Sequence, residues 1–382
     1  MPILLIPMIM TKRIRISVLS ISILLVLLLS GMAQAEDWPM FLRNASHDPA
    51  VVKAPQPPYR LKWSFATKGP VHSSPVVSGG RLFVGSYDNS LYALDAATGS
   101  LIWSFATEGE ILSTPAVAKD VVYFGSKDGN VYALEAATGK LIWKHETIRG
   151  VVTSAVATDT LVLISSTDSY IYALSVTDGK RQWRSQMYDT KNTGVYSSPA
   201  LFEDAVFYAG KNGVLYGASL KSGGRRWQFA TKSAIYASPV IKDEVIYIAS
   251  YDRHLYAINV KTGLRLWRRR IGNELGYASV AVVNDDVYQA FKSGLVKVFN
   301  KSTGSETASF TFPSGIKSTP VVSADGLMIF GGEDGVVYAA SSKTGAVLWQ
   351  YKTDGPIHSS PAVVDNTIYI GSEDGAIYAF AQ

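Results

Sequence analysis

The stretch "LYALDAATGSLIW", residues 91–103, returns forty residues later as "VYALEAATGKLIW", residues 131–143. A tryptophan closes each copy, and other tryptophans continue the series at similar intervals. The series consists of Trp63, Trp103, Trp143, Trp183, Trp227, Trp267 and Trp349. An interval of about 40 residues is typical of one four-stranded blade of a β-propeller. The repeat therefore predicts an all-β fold built from such blades.

A second marker, a Ser or Thr usually followed by Pro, sets the number of blades. Its copies are Ser74-Pro75, Thr114-Pro115, Ser154-Ala155, Ser198-Pro199, Ser238-Pro239, Ser279-Val280, Thr319-Pro320 and Ser360-Pro361. Eight copies predict an eight-bladed β-propeller of four-stranded antiparallel blades. The doubled interval between Trp267 and Trp349 contains Ala308, which follows Gly304 by the spacing that separates Gly99 from Trp103. We interpret Ala308 as a degenerate copy of the tryptophan, and the extra length between residues 187 and 198 as a protruding loop.

Turn residues divide each unit into four short apolar runs. At the second junction of a unit the sequence places Asp128-Gly129, Asn212-Gly213, Asp334-Gly335 and Asp374-Gly375. Such pairs favour two-residue hairpins, in which both central residues need a positive φ. The sequence predicts tight hairpins of this kind at the second junction.

The two ends of the repeat region complement each other. "LKWSFAT", residues 61–67, resembles the fourth strand of a unit but precedes the first marker, and the chain stops after a third strand, "AIYAFAQ". We expect residues 61–67 to pair beside residues 376–381, which completes the last blade and covers an open strand edge. Residues 61–382 then form a single propeller domain, preceded by a lead-in at residues 36–60.

Residues 1–35 have the pattern of a signal peptide: a cationic start, an apolar run of about a dozen residues and the small-residue site Ala33–Ala35. We expect cleavage after Ala35; an uncleaved anchor is the alternative, disfavoured because the run is short of the ~20 residues that span a bilayer. Translation starts at Met1 or Met10. Cleavage removes Lys12, Arg13 and Arg15 and no acidic residue, so the formal charge falls from +5 to +2. That balance gives little support to nucleic-acid binding.

The chain has no cysteine. It therefore has no disulfide, no thiolate metal site and no residue for lipid attachment. We expect the cleaved product to be a periplasmic or secreted monomer without stable membrane insertion.

The phrase Ala93-x-Asp95-x-x-Thr98-Gly99-x-x-x-Trp103 resembles the tryptophan-docking motif of quinoprotein-like, PQQ-repeat β-propellers. The segment "EDWPMFLRNASHD", residues 36–48, is similar to the lead-in of that superfamily. The resemblance covers essentially the whole chain after residue 35. It implies an eight-bladed propeller in which the seven tryptophans, Trp63 to Trp349, pack between neighbouring blades.

The resemblance implies two functional classes. One comprises dehydrogenases that hold pyrroloquinoline quinone (PQQ) and Ca²⁺ on the propeller axis; the other is the BamB family of non-enzymatic scaffolds in outer-membrane protein assembly. The chain lacks the adjacent cysteines that are common in the first class. Its hairpin aspartates recur at one turn position, which turn geometry explains better than Ca²⁺ ligation. We expect a non-catalytic envelope scaffold with a protein partner and no cofactor. A PQQ-dependent oxidoreductase is the alternative, and a propeller that binds a small ligand on its axis is a third.

Variable positions within the repeat indicate where binding specificity lies. Two residues before each marker the chain carries a residue that changes from blade to blade: His72, Leu112, Val152, Tyr196, Tyr236, Tyr277, Lys317 and His358. We expect these residues to ring one mouth of the central channel, beside the tips of the second hairpins. His72, Tyr196, Tyr236, Tyr277, Lys317 and His358 are the candidate binding residues; a solvated rim without a ligand is the alternative. The spacing of the histidines predicts no metal site, and no catalytic residue is indicated.

Overall fold

The eight copies of the repeat form eight four-stranded antiparallel sheets in a computed structural model that describes residues 37–187 and 194–382. The predicted eight-bladed all-β propeller is confirmed. The predicted signal peptide and residues 188–193 of the predicted loop lie outside the described residues. No helix in the described part of the chain is long and apolar enough to cross a membrane.

Each blade runs from an inner strand at the axis to an outer strand. Blade 1 consists of β2 Val76–Ser78, β3 Arg81–Gly85, β4 Ser90–Asp95 and β5 Leu101–Ala106, and blade 2 of β6 Ala116–Ala118, β7 Val121–Gly125, β8 Asn130–Glu135 and β9 Leu141–Glu146. Blade 3 consists of β10 Val156–Ala157, β11 Leu161–Ser165, β12 Tyr170–Ser175 and β13 Arg181–Gln186, and blade 4 of β14 Ala200–Phe202, β15 Ala205–Ala209, β16 Val214–Ser219 and β17 Arg225–Ala230. Blade 5 consists of β18 Val240–Lys242, β19 Val245–Ser250, β20 His254–Asn259 and β21 Arg265–Arg270, and blade 6 of β22 Ala281–Val283, β23 Asp286–Ala290, β24 Leu295–Asn300 and β25 Glu306–Thr311. Blade 7 consists of β26 Val321–Val322, β27 Leu327–Gly331, β28 Val336–Ser341 and β29 Val347–Lys352, and blade 8 of β30 Ala362–Val364, β31 Thr367–Gly371, β32 Ala376–Ala381 and β1 Arg60–Ala66. The two middle strands of each blade are the most buried.

The hairpin types differ from the prediction at the second junction. In the Asp-Gly and Asn-Gly pairs there, only the glycine has a positive φ, 91° at Gly129, and the N–H of Gly129 donates to Ser126 O at 3.1 Å. This is a longer loop, a turn followed by one left-handed residue, rather than a two-residue turn. Two consecutive positive φ angles occur instead at the first junction, in Gly79-Gly80, Lys119-Asp120, Asp243-Glu244 and Asp365-Asn366.

A β-bulge in the outer strand orients each docking tryptophan. In blade 1, Ala93 pairs with Trp103 and Leu94 pairs with Leu101, so Ile102 is an extra residue in the outer strand. The same irregularity recurs in the outer strand pair of every blade. Bulges bend a strand and redirect its side chains. Here the bulge turns the indole toward the neighbouring blade.

Each docking tryptophan joins its blade to the next. Trp103 Nε1 donates to Ala136 O at 3.0 Å, and the equivalent bond is present for the other six tryptophans. The indole lies against the glycine of the next Thr-Gly turn: a Cβ on Gly139 would come within 2.7 Å of Trp103 Cδ2. Only glycine accepts this approach together with its φ of 72°. The repeated motif thus supplies both sides of the six junctions in which an indole lies on a turn glycine.

Blade 6 has Ala308 at the tryptophan position and docks on blade 7 through Phe310 instead. Ala308 pairs with Val298 inside its own blade. The ring that lies on the Thr-Gly turn of blade 7 belongs to Phe310, whose Cδ1 is 2.6 Å from the position that a Cβ on Gly345 would take. The register confirms that Ala308 occupies the tryptophan position, since Ala308 pairs with Val298 as Trp103 pairs with Ala93. Its methyl group is too small to cover the turn, and the aromatic ring two residues later does so.

Strand β1 pairs antiparallel with β32 and supplies the outer strand of blade 8. Trp63, on β1, donates from Nε1 to Ala96 O of blade 1 at 3.1 Å. On the other side, Trp349 of blade 7 donates to Tyr59 O at 3.1 Å, just before β1. The N-terminal strand thus contacts three consecutive blades around the junction of the two chain ends.

The lead-in, residues 37–59, runs along the inner strands of several blades. Trp38 forms an antiparallel bridge with Val77, and backbone N–H groups of Val117, Leu201 and Ile241 donate to lead-in carbonyls at 2.6–2.9 Å. His47, within it, is fully buried, and its Nδ1 lies 3.1 Å from Pro239 O. The lead-in therefore connects blades that are distant in sequence.

Replacing a docking tryptophan should open a cavity between two blades. We expect Trp103→Ala to lower the free energy of unfolding by about 3–5 kcal/mol, the usual cost of deleting a buried indole. The control is Leu101→Ala on the same strand, where the side chain is 49% exposed and the expected change is within about 0.5 kcal/mol. Urea unfolding of the three proteins measures both values, and equal midpoints for the two variants would contradict interblade docking.

Burial of His47 makes stability depend on pH. Burial lowers the pKa of His47 from 6.5 to about 4. Between these values the unfolded chain binds the proton and the folded chain does not, so the free energy of unfolding falls as the pH drops from 6.5 to 4, by about 3 kcal/mol from this residue. His47→Asn retains an amide donor and tolerates the φ of 59°. We expect its stability to fall less over this range; parallel pH profiles for the two proteins would contradict the assignment.

Candidate binding site at the channel mouth

The Ser and Thr markers form a belt around the axis. At most junctions the N–H of one marker donates to the side-chain hydroxyl of the marker in the next blade: Ser74 N to Thr114 Oγ1 is 3.1 Å, and Ser154 N to Ser198 Oγ is 2.9 Å. Seven of the eight junctions between described blades carry this bond. It closes the circle from Ser360 N to Ser74 Oγ at 2.9 Å. These buried hydroxyls are structural, and none is placed as a nucleophile.

The eight variable positions surround one cavity of about 390 Å³ on the axis. The walls consist of the belt residues, and the rim consists of His72, Leu112, Val152, Tyr196, Tyr236, Tyr277, Lys317 and His358. Phe41 of the lead-in also lines the cavity. The structure thus brings all six candidate binding residues to one site. Their binding role stays a prediction.

Tyrosines occupy the rim of blades 4 to 6. The ring centroids of Tyr196 and Tyr236 are 5.8 Å apart, and those of Tyr236 and Tyr277 are 6.0 Å apart with nearly parallel planes. Tyr251, on the hairpin tip of blade 5, adds a fourth ring 4.6 Å from Tyr236. Lys211 Nζ lies 4.5 Å from the centroid of Tyr196, a cation–π contact. Tyr196 and Tyr277 remain 44% and 46% exposed, so this arc offers aromatic surface to solvent.

Charged and ionisable groups occupy the rim of blades 7, 8 and 1. His72 Nε2 lies 2.5 Å from Glu373 Oε1, and His358 Nδ1 lies 2.6 Å from the same oxygen. Lys317 Nζ is 2.6 Å from Glu333 Oε1 and 3.2 Å from His358 Nε2. Burial lowers the pKa of His72 and of His358, although Glu373 opposes the shift. Burial thus disfavours the charged form of both imidazoles. The two halves of the rim differ in chemistry, with aromatic rings on one side and ionisable groups on the other.

The histidine–carboxylate contacts are the part of the site that the sequence analysis did not find. His72 and His358 lie 286 residues apart in the chain and become neighbours because blade 8 meets blade 1. The repeated phrase "HSSP", at residues 72–75 and 358–361, was the available signal. It marks equivalent positions in the first and last blades, which adjoin in any closed ring.

Comparison with known proteins places the chain in a family. A family model described as outer membrane protein assembly factor BamB matches residues 50–194, 167–315 and 292–382. The chain belongs to this PQQ-repeat family. BamB of Salmonella typhimurium is 32% identical over 108 residues, which cover 25% of this chain and 28% of that protein.

Solved structures similar to this BamB-family chain share its fold. BamB from Moraxella catarrhalis has a TM-score of 0.75 at 19% identity, covering 85% of this chain and 100% of that one. A europium-containing methanol dehydrogenase has a TM-score of 0.79 at 15% identity, covering 94% and 100%. An assembly factor and a dehydrogenase thus share the architecture, so the fold does not decide between the two functional classes.

The dehydrogenase neighbours raise the question of PQQ and Ca²⁺ on the axis. Calcium takes about six to eight oxygen ligands, mostly carboxylates and carbonyls. On this side of the mouth the described side chains supply two imidazoles, an ammonium group and two carboxylates, which is fewer oxygen ligands than calcium takes. The hairpin aspartates serve their own turns: Asp88 accepts bonds from Tyr92 Oη at 2.7 Å and from Ser90 N at 3.0 Å, and equivalents recur. The described residues do not fit a calcium–quinone site.

Loss of one belt hydroxyl should leave a buried N–H without a partner. We expect Ser74→Ala to lower the free energy of unfolding by about 1–3 kcal/mol, because Ser360 N loses its acceptor at the last junction. Ser74→Thr keeps the hydroxyl, as Thr114 does in blade 2, and should cost less. Denaturant unfolding compares the two variants, and an Ala variant as stable as the Thr variant would refute the role of the belt.

Proposed function

We propose that this chain is a non-catalytic scaffold of the cell envelope that binds a protein of the outer-membrane assembly machinery at the mouth of its channel. The observation that carries the proposal is the half-exposed tyrosine arc, Tyr196, Tyr236 and Tyr277, on a rigid rim. Tyrosines bury large areas at low entropic cost and are enriched in protein interfaces. Membership of the BamB family supports the choice of partner.

The rest of the rim gives the interface an orientation. The aromatic arc lies in blades 4 to 6, and the groups of His72, Lys317 and His358 lie across the cavity. A partner that fits both halves meets aromatic surface on one side and polar groups on the other. Such asymmetry specifies how a partner docks as well as how tightly it binds.

The signal-peptide pattern of residues 1–35 supports an envelope location. Because the chain has no cysteine for lipid attachment, the proposed scaffold is held near the outer membrane by its protein partner. Contact with assembly machinery is then a requirement for its location and for its activity.

The test uses the triple variant Tyr196→Ala/Tyr236→Ala/Tyr277→Ala in the native host. We expect it to fold normally, to lose co-purification with the assembly machinery, and to fail to restore the level of folded outer-membrane proteins in cells that lack the wild-type gene. The physical reason is the loss of three aromatic contacts in one patch, each worth about 1 kcal/mol or more at an interface. Circular dichroism and the unfolding midpoint check the fold.

The matched control is Leu101→Ala/Ile102→Ala/Leu266→Ala, which removes three exposed apolar side chains from outer strands. It should bind and complement like the wild type. Retention of the assembly machinery by the tyrosine variant would refute the binding surface. Dye reduction by the purified chain after addition of PQQ and Ca²⁺ would refute the non-catalytic assignment.

A further inference from the structure

Three potential metal ligands meet at the junction of the first and last blades. His72 precedes β2 of blade 1, His358 precedes β30 of blade 8, and Glu373 lies on the hairpin between β31 and β32. One ligand atom from each of the three residues lies within 4.8 Å of the other two. All three side chains are partly buried, between 16% and 26% exposed. His72 and His358 line one side of the axial cavity, and Glu373 contacts both of them.

The surrounding structure holds these ligands in place. The belt bond from Ser360 N to Ser74 Oγ lies two residues from each histidine. The ring of His72 stacks on Tyr87, with centroids 4.5 Å apart and an interplanar angle of 25°. Glu373 N donates to Pro356 O at 2.9 Å, which fixes the hairpin tip beside the loop that carries His358. Ligands that are positioned before binding lose little entropy when an ion arrives.

The local charges favour a cation at this point. Within the described residues, Glu373 has ion-pair contacts only with the two imidazoles, whose charge depends on protonation. The ammonium group of Lys317 forms a salt bridge with Glu333, with Nζ 2.6 Å from Oε1. A half-buried carboxylate that faces two imidazoles, with no fixed positive charge of its own, is a ready acceptor for a divalent ion.

We propose that His72, His358 and Glu373 bind one divalent transition-metal ion, with Zn²⁺ as the reference ion, across the junction of blades 8 and 1. Two imidazole nitrogens and one carboxylate oxygen are a donor set that suits zinc and its neighbours and is poor for Ca²⁺ or Mg²⁺. The remaining coordination position faces the cavity and accepts water or a donor from a bound molecule. This proposal is independent of the proposed function.

Two neighbouring side chains, Glu333 and Lys317, lie beside the proposed ligand His358. Glu333 Oε1 lies 3.6 Å from His358 Nε2, in a position to accept its N–H once Nδ1 ligates the ion. Such a carboxylate orients the imidazole and raises its basicity as a ligand. Lys317 Nζ, 3.2 Å from the same nitrogen, opposes the ion by charge repulsion. The two residues are expected to tune affinity in opposite directions.

The direct test titrates tag-free, chelator-treated full-length protein with Zn²⁺, Co²⁺ and Ca²⁺. We expect one Zn²⁺ per chain by calorimetry, intensified visible absorbance of Co²⁺ on entering a low-coordinate site, and a higher unfolding midpoint in Zn²⁺, since the ion binds the folded state. Calcium should produce none of these effects. Absence of stoichiometric Zn²⁺ binding below millimolar concentration would overturn the proposal.

Variants locate the ion. His72→Gln, His358→Gln and Glu373→Gln should each weaken Zn²⁺ binding at least about 100-fold, the upper range for disturbing a metal site. His145→Gln, on outer strand β9, and Glu110→Gln, which removes a rim carboxylate paired with Lys127, are the matched controls and should bind like the wild type. Equal loss in ligand and control variants would place the ion elsewhere and refute the site.

Lys317→Met provides a test in the opposite direction. Removing this ammonium group should strengthen Zn²⁺ binding about tenfold, the size of the repulsion between a unit charge and a dication roughly 6 Å apart in a water-like dielectric. It also frees Glu333 to accept from His358. A gain of affinity cannot arise from a damaged fold, so an unchanged or weaker Zn²⁺ affinity in this variant would count against the assigned position.

Discussion

The meeting of the two chain ends is the constraint on which the structure depends. Seven blades each consist of four consecutive strands. Blade 8 has three consecutive strands, β30 to β32, and takes its outer strand, β1, from the N-terminal side of the chain. The junction is closed at several radii: the belt bond at the axis, the β1–β32 ladder in the sheet, and Trp63 against Ala96 at the outer side. Each of these contacts also occurs elsewhere in the ring, so closure needs no special chemistry.

The fold was predictable because the repeat encodes local geometric needs. The turn after the third strand needs a left-handed glycine under an indole, and this requirement recurs at six of the eight junctions between described blades. The turn types were less predictable. Lys119-Asp120 adopts two positive φ angles without any glycine, whereas Asp128-Gly129 adopts only one. Phe310 was missed for a similar reason: the sequence spacing showed the vacant tryptophan position, and only packing reveals which ring covers it.

The candidate site was predictable in position and only partly in chemistry. Counting two residues before each marker identified the whole rim of the cavity, because equivalent positions in a ring share one radius and one height. The contacts of His72 and His358 with Glu373 depend on side-chain directions between the first and last blades. Spacing along the chain does not report such proximity, and the histidines therefore looked isolated in sequence.

The belt residues contribute to stability, and the rim residues determine which groups the cavity presents. Every belt residue carries a hydroxyl, and at seven of the eight junctions that hydroxyl accepts a bond from the buried N–H of the neighbouring blade. The rim positions lie two residues before the belt residues. In the described blades no recurring backbone hydrogen bond involves a rim side chain, and the residue type varies from Leu112 in one blade to Lys317 in another. Substitution at the rim therefore changes what the cavity presents without opening a junction. The same framework therefore presents aromatic groups on one half of its mouth and ionisable groups on the other.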